Sequence, residues 1–142
     1  MSAHGRFVDL RAKACIVSDL HIFTQRSYAH RLSAQFASKL KHADYFILNG
    51  DIFDFKWSTF PTIDRTIEAA AKWLIDLANV NPSCHIHYVL GNHDALAGWV
   101  DHLEMITGSI KNLHFHRTHL KLEKSLFLHG DLCLAIQPPF DR

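Results

Sequence analysis

Tyr45-Phe46-Ile47-Leu48-Asn49-Gly50-Asp51-Ile52-Phe53-Asp54 is the stretch on which the fold turns. Its first four residues form a continuous apolar run that stops at the turn-forming Asn-Gly, as a strand buried on both faces of an α/β sheet would. Two carboxylates, Asp51 and Asp54, follow on the loop. Outward from this stretch the same pattern recurs. Residues 12–17 are a short apolar run stopped by Ser18-Asp19, and residues 84–90 are another stopped by Gly91-Asn92. Between the first two runs, Tyr28, Leu32, Phe36 and Leu40 recur every fourth position behind the N-cap candidate Ser27, which predicts an amphipathic helix. After Pro61-Thr62, the residues Ile63, Ile67, Ala70, Leu74 and Leu77 predict a second helix that ends before Asn81-Pro82, with Asp64 in the first turn where the helix dipole favours an anion. Leu96, Trp99, Leu103 and Ile106 predict a third, ending at Gly108. The alternation β-α-β-α-β-α predicts an α/β fold with a parallel sheet, whose ligands bind at loops leaving the C-terminal ends of the strands. Beyond it, residues 113–116, 120–122 and 126–128 are short strand-like pieces, with Glu123-Lys124 as a hairpin turn.

Composition narrows the class of function. The 142 residues are the size of one domain, and 48% hydrophobic against 20% charged residues exclude a disordered chain. Fifteen Lys and Arg against 14 Asp and Glu leave a formal charge of +1, so no broad nucleic-acid surface is expected and any phosphate must be held locally. No apolar run approaches the ~20 residues of a membrane span. The first ten residues are too polar for the core of a signal peptide. Cys15, Cys84 and Cys133 are too far apart for a metal knuckle or a small-domain disulfide framework, and are expected to be buried thiols of a soluble cytoplasmic protein. Histidine is abundant: 12 residues stand beside 14 carboxylates, and both groups bind first-row transition metals.

Each expected strand end carries ligand-type residues. The first has Ser18-Asp19-Leu20-His21, the second Gly50-Asp51-Ile52-Phe53-Asp54, the third Gly91-Asn92-His93-Asp94, and the final hairpin His129-Gly130-Asp131. Loops at one edge of a parallel sheet converge, so these clusters are expected to face one crevice. Asp, His and the Asn carbonyl suit divalent Mn, Fe, Zn, Co or Ni, and a carboxylate placed between two cations bridges them. Glycines at 50, 91 and 130 let the backbone turn sharply beside each cluster.

These blocks resemble the calcineurin-like metallophosphoesterase superfamily, whose pattern is Asp-x-His, Gly-Asp-x-x-Asp, Gly-Asn-His-Asp or Glu, a His before a Gly, and finally Gly-His-x-His. The first four blocks stand in order between residues 19 and 131. The resemblance implies an αββα sandwich over residues 1–142, with two mixed sheets flanked by helices. It implies two divalent metal ions, Asp19 and His21 binding the first, Asp51 bridging both, and Asn92 and His129 binding the second. His93 would donate a proton to the leaving-group oxygen or hold the phosphate, with Asp94 hydrogen-bonded behind it. Asp54 and Asp131 would support the ligands through hydrogen bonds. The implied reaction is hydrolysis of a phosphomonoester, phosphodiester or pyrophosphate in a small phosphorylated substrate, by a hydroxide held between ions ~3.5–4 Å apart.

Residues 50–57 together with His129-Gly130-Asp131 are similar to the UDP-2,3-diacylglucosamine hydrolase branch, but that branch usually has Asn-Arg-Asp where this chain has Asn92-His93-Asp94. The departure favours a generic phosphoesterase. A second departure is the final block, because none of the six glycines is followed by His. The chain is therefore expected to be the N-terminal portion of the domain, truncated at the C-terminus, with a second sheet short of strands and an exposed edge through which it could oligomerise. The alternative reading is a non-catalytic scaffold or inactive fragment.

Other residues carry plainer expectations. His85 and His87 share one strand face, as do His114 and His116; pairs at that spacing can bind metal, but nothing else in the sequence converges with them, so they are assigned structural or surface roles. Trp57 and Phe60 either contact substrate or pack beneath their loop. Trp73 and Trp99 fall at core positions of helices.

Overall fold

The computed structural model describes residues 13–134. The polar start at 1–12 and the Pro-containing end at 137–142 lie outside the described residues. Three apolar runs become parallel neighbours: β1 (Ala14–Val17), β2 (Tyr45–Asn49) and β3 (His85–Val89), with Cys15 opposite Phe46 and Phe46 opposite Ile86. A fourth strand, β4 (Leu113–His116), pairs parallel to β3, giving the order β1-β2-β3-β4, with β1 and β4 outermost among the described residues. This extends the alternation, because residues 113–116 are joined to the first sheet through the third helix. Among the described residues, β5 (His119–Leu122) and β6 (Ser125–Leu128) form the second sheet, an antiparallel hairpin turning at Glu123-Lys124. The α/β architecture with flanking helices is that expected. The two sheets expected to be mixed are, among the described residues, one purely parallel and one purely antiparallel.

Strand alternation divides the core into two layers. Phe46, Leu48, Ile86 and Tyr88 point to the helix side, where they pack with residues of α1 (Ser33–Leu40), α2 (Ile63–Val80) and α3 (Ala97–Ser109). Ile47 and Val89 point the other way and pack against Leu120, with Leu122 and Phe127 alongside. The hairpin thus covers the upper part of the second face.

Local signals explain the helix ends. Thr62 caps α2, its Oγ1 accepting from the Arg65 backbone N–H at 3.2 Å. The first helix departs from its expected start. Ser27 accepts from the Ala29 N–H at 3.2 Å and donates to the Leu20 carbonyl at 2.7 Å, and the chain makes a 3-10 turn at Ala29–Leu32 before α1 begins. Tyr28, expected on the buried stripe, stands 65% exposed, because the chain is not yet helical there. Asn112 ties three segments together, its Nδ2 donating to the carbonyls of Ala78 and Cys84 at 3.0 Å and of Asn81 at 3.3 Å. Trp99 is fully buried and Trp73 packs edge-on against Phe36 and Phe53.

The expectation of three buried thiols needs correction. Cys84 is buried, and burial raises its pKa to about 11, but Cys15 is half-buried and Cys133 is exposed on the short α4 (Asp131–Leu134). Among the described residues, no helix is long and apolar enough to cross a membrane.

Candidate metal centre

The loops after β1 and β2 continue side by side beyond the sheet. Asp19 N–H donates to the Gly50 carbonyl at 3.0 Å, His21 N–H to Asp51 at 3.0 Å and Ile22 N–H to Ile52 at 2.8 Å. This register holds Asp19 (φ 53°), His21 (φ 44°) and Asp51 (φ 52°) in the left-handed region, which disfavours side chains with a Cβ by about 1–2 kcal/mol per residue. Beneath the loops, Phe53 is fully buried and its ring lies 5.4–6.1 Å from those of Trp99, Trp73, Phe23 and Tyr88. An aromatic core thus braces the strained backbone.

The strain aims donors at one point. Asp19, His21 and Asp51 present ligand atoms within 4.8 Å of one another, and His21, Asp54 and His93 form an overlapping group. Carboxylate oxygen with imidazole nitrogen is a donor set suited to a divalent transition metal. His129 arrives from the end of β6 with Nε2 3.2 Å from Asp51 Oδ2, while its Nδ1 faces the Asn49 carbonyl at 3.3 Å. A hydrogen bond on Nδ1 leaves Nε2 as the free donor, the usual way a protein orients a metal-binding imidazole. Asn92 is exposed on the loop after β3, and Asp131 is half-buried at the start of α4.

Two glycines make the approach possible. A Cβ on Gly50 (φ 84°) would run into the His129 imidazole, and one on Gly91 would overlap the Asp51 carboxylate and lie 2.6 Å from the Asp51 backbone nitrogen. The Asp51 carboxylate also accepts from the His93 N–H at 2.9 Å, which locks the β2 and β3 loops together.

Asp94 lies away from the position expected of it. Asp94 does not stand behind the His93 ring. It is fully buried and accepts hydrogen bonds from the Ile52 N–H at 2.8 Å, the Gly91 N–H at 2.6 Å and the Tyr88 hydroxyl, which itself accepts from Trp99 at 3.3 Å. Burial raises the Asp94 pKa to about 6, against the lowering effect of those three hydrogen bonds. The carboxylate behind His93 is Asp54, with Oδ2 2.9 Å from His93 Nδ1 and 3.4 Å from His21 Nδ1. Its Oδ1 accepts from the backbone N–H groups of Lys56 and Trp57 at 3.2 and 3.1 Å. The reason is the turn at Gly91-Asn92-His93-Asp94: Asp94 folds back onto the Gly91 N–H, so its side chain points into the core while His93 points out.

A cavity of about 730 Å³ opens beside Asp19, His21 and Asp54, bounded further out by Arg26, Tyr28 and Trp57. Trp57 is 64% exposed, so it lines the cavity rather than packing beneath its loop. Arg26, Tyr28 and the buried partner Tyr88 carried no recognisable motif in the sequence; only the chain path brings them here.

A parallel sheet with acidic and imidazole residues gathered at its strand ends is the architecture of a metal-dependent phosphoesterase. The chain belongs to the calcineurin-like phosphoesterase family, whose model matches residues 12–139. No curated protein and no solved structure matches it.

Proposed function

We propose that this chain hydrolyses a phosphomonoester, phosphodiester or pyrophosphate bond at a dinuclear centre. The observation that carries this reading is the central position of Asp51, which belongs to the cluster with Asp19 and His21 and also faces His129 at 3.2 Å. Asp19, His21 and Asp51 would hold one ion, and Asp51, Asn92 and His129 the other, drawn from Mn, Fe, Zn, Co or Ni. When bound, such ions acidify a water at neutral pH and neutralise charge on the phosphoryl oxygens.

The chain's own groups supply the rest. Asp54 accepts the Nδ1 proton of His93, which directs Nε2 outward, where a protonated ring can donate to the leaving-group oxygen. Asp54 orients His21 in the same way. Arg26 brings a fixed positive charge to the cavity, matching a phosphorylated small molecule, and Tyr28 and Trp57 offer apolar rings to its organic part. His93 stands where the UDP-2,3-diacylglucosamine hydrolase branch has Arg, which favours a broader phosphoester specificity.

Assays on bis(p-nitrophenyl) phosphate and p-nitrophenyl phosphate with added Mn²⁺ test the proposal. Turnover is expected for the native chain and a loss of at least 100-fold for Asp51→Asn. Equal activity in the two proteins would overturn the dinuclear reading.

A further inference from the structure

The strained residue at the heart of the strand-end centre is held from behind by a network that reaches into the core. Asp51 keeps a left-handed φ of 52°, a conformation that persists only where the surroundings over-determine it. The next residue, Ile52, donates its N–H to Asp94 Oδ2 at 2.8 Å, and Gly91, whose missing Cβ makes room for the Asp51 carboxylate, donates to Asp94 Oδ1 at 2.6 Å. One buried carboxylate therefore clamps both backbones that shape the Asp51 site. Its own direction is set from the core. The Tyr88 hydroxyl donates to Asp94 Oδ2, and Trp99 Nε1 donates to that hydroxyl at 3.3 Å, which leaves the Tyr88 proton for Asp94. Tyr88, Trp99 and Asp94 are all 0% exposed, so no solvent reaches any of the three groups.

We propose that Tyr88 is a positioning residue for the metal centre: acting through Asp94, its hydroxyl holds Asp51 in the geometry that binds metal. The inference rests on the reading of Asp51 as a metal ligand, and Tyr88 itself touches neither ion nor substrate. Asp94 Oδ2 is the shared point, since it accepts from both Ile52 and Tyr88. With the hydroxyl in place the carboxylate has three donors and its plane is fixed. Without it, Oδ2 keeps only the Ile52 N–H, Trp99 Nε1 loses its acceptor, and the carboxylate turns toward the donors that remain. Ile52 and Gly91 then shift together, and Asp51 relaxes from its left-handed backbone. That relaxation moves a carboxylate placed between Asp19 and His21 on one side and His129, at 3.2 Å, on the other. Packing alone does not call for the hydroxyl, because a Phe ring fills the same space and keeps the contacts with Phe53 at 6.1 Å and Trp99 at 6.3 Å.

Tyr88→Phe in the full chain tests the proposal through Mn²⁺ affinity, read from the electron paramagnetic resonance signal of the free ion and so independent of turnover. The native chain is expected to bind Mn²⁺, and Tyr88→Phe to bind it about tenfold more weakly, the lower end of what losing a supporting partner behind a ligand costs. Tyr88→Phe/Asp94→Asn is expected to bind no more weakly than Asp94→Asn alone, because the hydroxyl acts through that carboxylate. Ile106→Ala, a core truncation near the C-terminal end of α3 and outside this network, is expected to lower the urea midpoint at least as far as Tyr88→Phe while leaving the Mn²⁺ dissociation constant unchanged. Native binding with an unchanged constant in Tyr88→Phe, or with an equal weakening in Ile106→Ala, would overturn the positioning role and leave the centre standing. A native chain that binds no Mn²⁺ would overturn the centre itself, and the positioning role with it.

Discussion

Asp54 and Asp94 are both nearly inaccessible, at 3% and 0% exposure, yet their surroundings give them opposite roles. Asp94 satisfies three donors from the β2 loop, the β3 loop and the core. Removing an acceptor leaves each buried donor unsatisfied at roughly 1–3 kcal/mol. Asp94→Ala is therefore expected to lower stability by about 3 kcal/mol or more, read by urea unfolding, a large share of the ~5–15 kcal/mol of an ordinary domain. Asp54 instead turns its Oδ2 toward two imidazoles at the mouth of the cavity. Asp54→Asn is expected to leave the unfolding midpoint nearly unchanged while reducing turnover about 10–100-fold, the usual effect of removing a carboxylate that orients a metal-binding or acid imidazole. A midpoint shift without loss of turnover would reverse the two assignments. Motif spacing places both carboxylates at the centre but does not distinguish them, because the difference lies in the direction of two side chains from adjacent turns.

At the scale of elements, the β3–β4 pair makes stability depend on pH. The folded-state pKa of His87 lies near 4, below the ordinary imidazole value of 6.5, because burial and the facing rings of His114, His116 and His85 disfavour a second positive charge. The unfolded chain thus binds more protons between these values, so stability from this group is fully present above pH 6.5 and is lost as pH falls toward 4. The urea midpoint is expected to drop across that window, and His87→Gln to flatten part of the slope. An identical slope in the variant would remove the histidine face as its source. The helices α2 and α3 were legible from apolar spacing alone, since each buries one stripe against the sheet. The placement of β4 was not, because a short alternating strand satisfies its hydrogen bonds equally well in either sheet, and the tie through Asn112 and α3 joins sequence-distant segments. The His85–His87 and His114–His116 pairs were visible singly; only β3–β4 register brings them together.

For the whole molecule, metal binding and folding are linked. The strand-end donors come from loops spread between residues 19 and 129, so an ion that binds their folded arrangement stabilises every element that holds them. Mn²⁺ at about 100 times its dissociation constant is expected to add ~2.7 kcal/mol, raising Tm by roughly 10 °C in a domain of this size. Chelator is expected to remove the gain, and Asp51→Asn to show none; a Tm indifferent to Mn²⁺ would argue against a preformed centre. The sequence by itself determined the α/β alternation, the spans of α2 and α3 and the four loops that carry Asp, His and Asn to the strand ends, because apolar period, capping and turn chemistry act over a few neighbouring residues. Tertiary structure alone decided that β4 completes the main sheet, that Asp54 rather than Asp94 backs His93, and that four histidines share one face. Each depends on contacts between residues tens of positions apart, where register and side-chain direction, rather than local preference, set which groups meet.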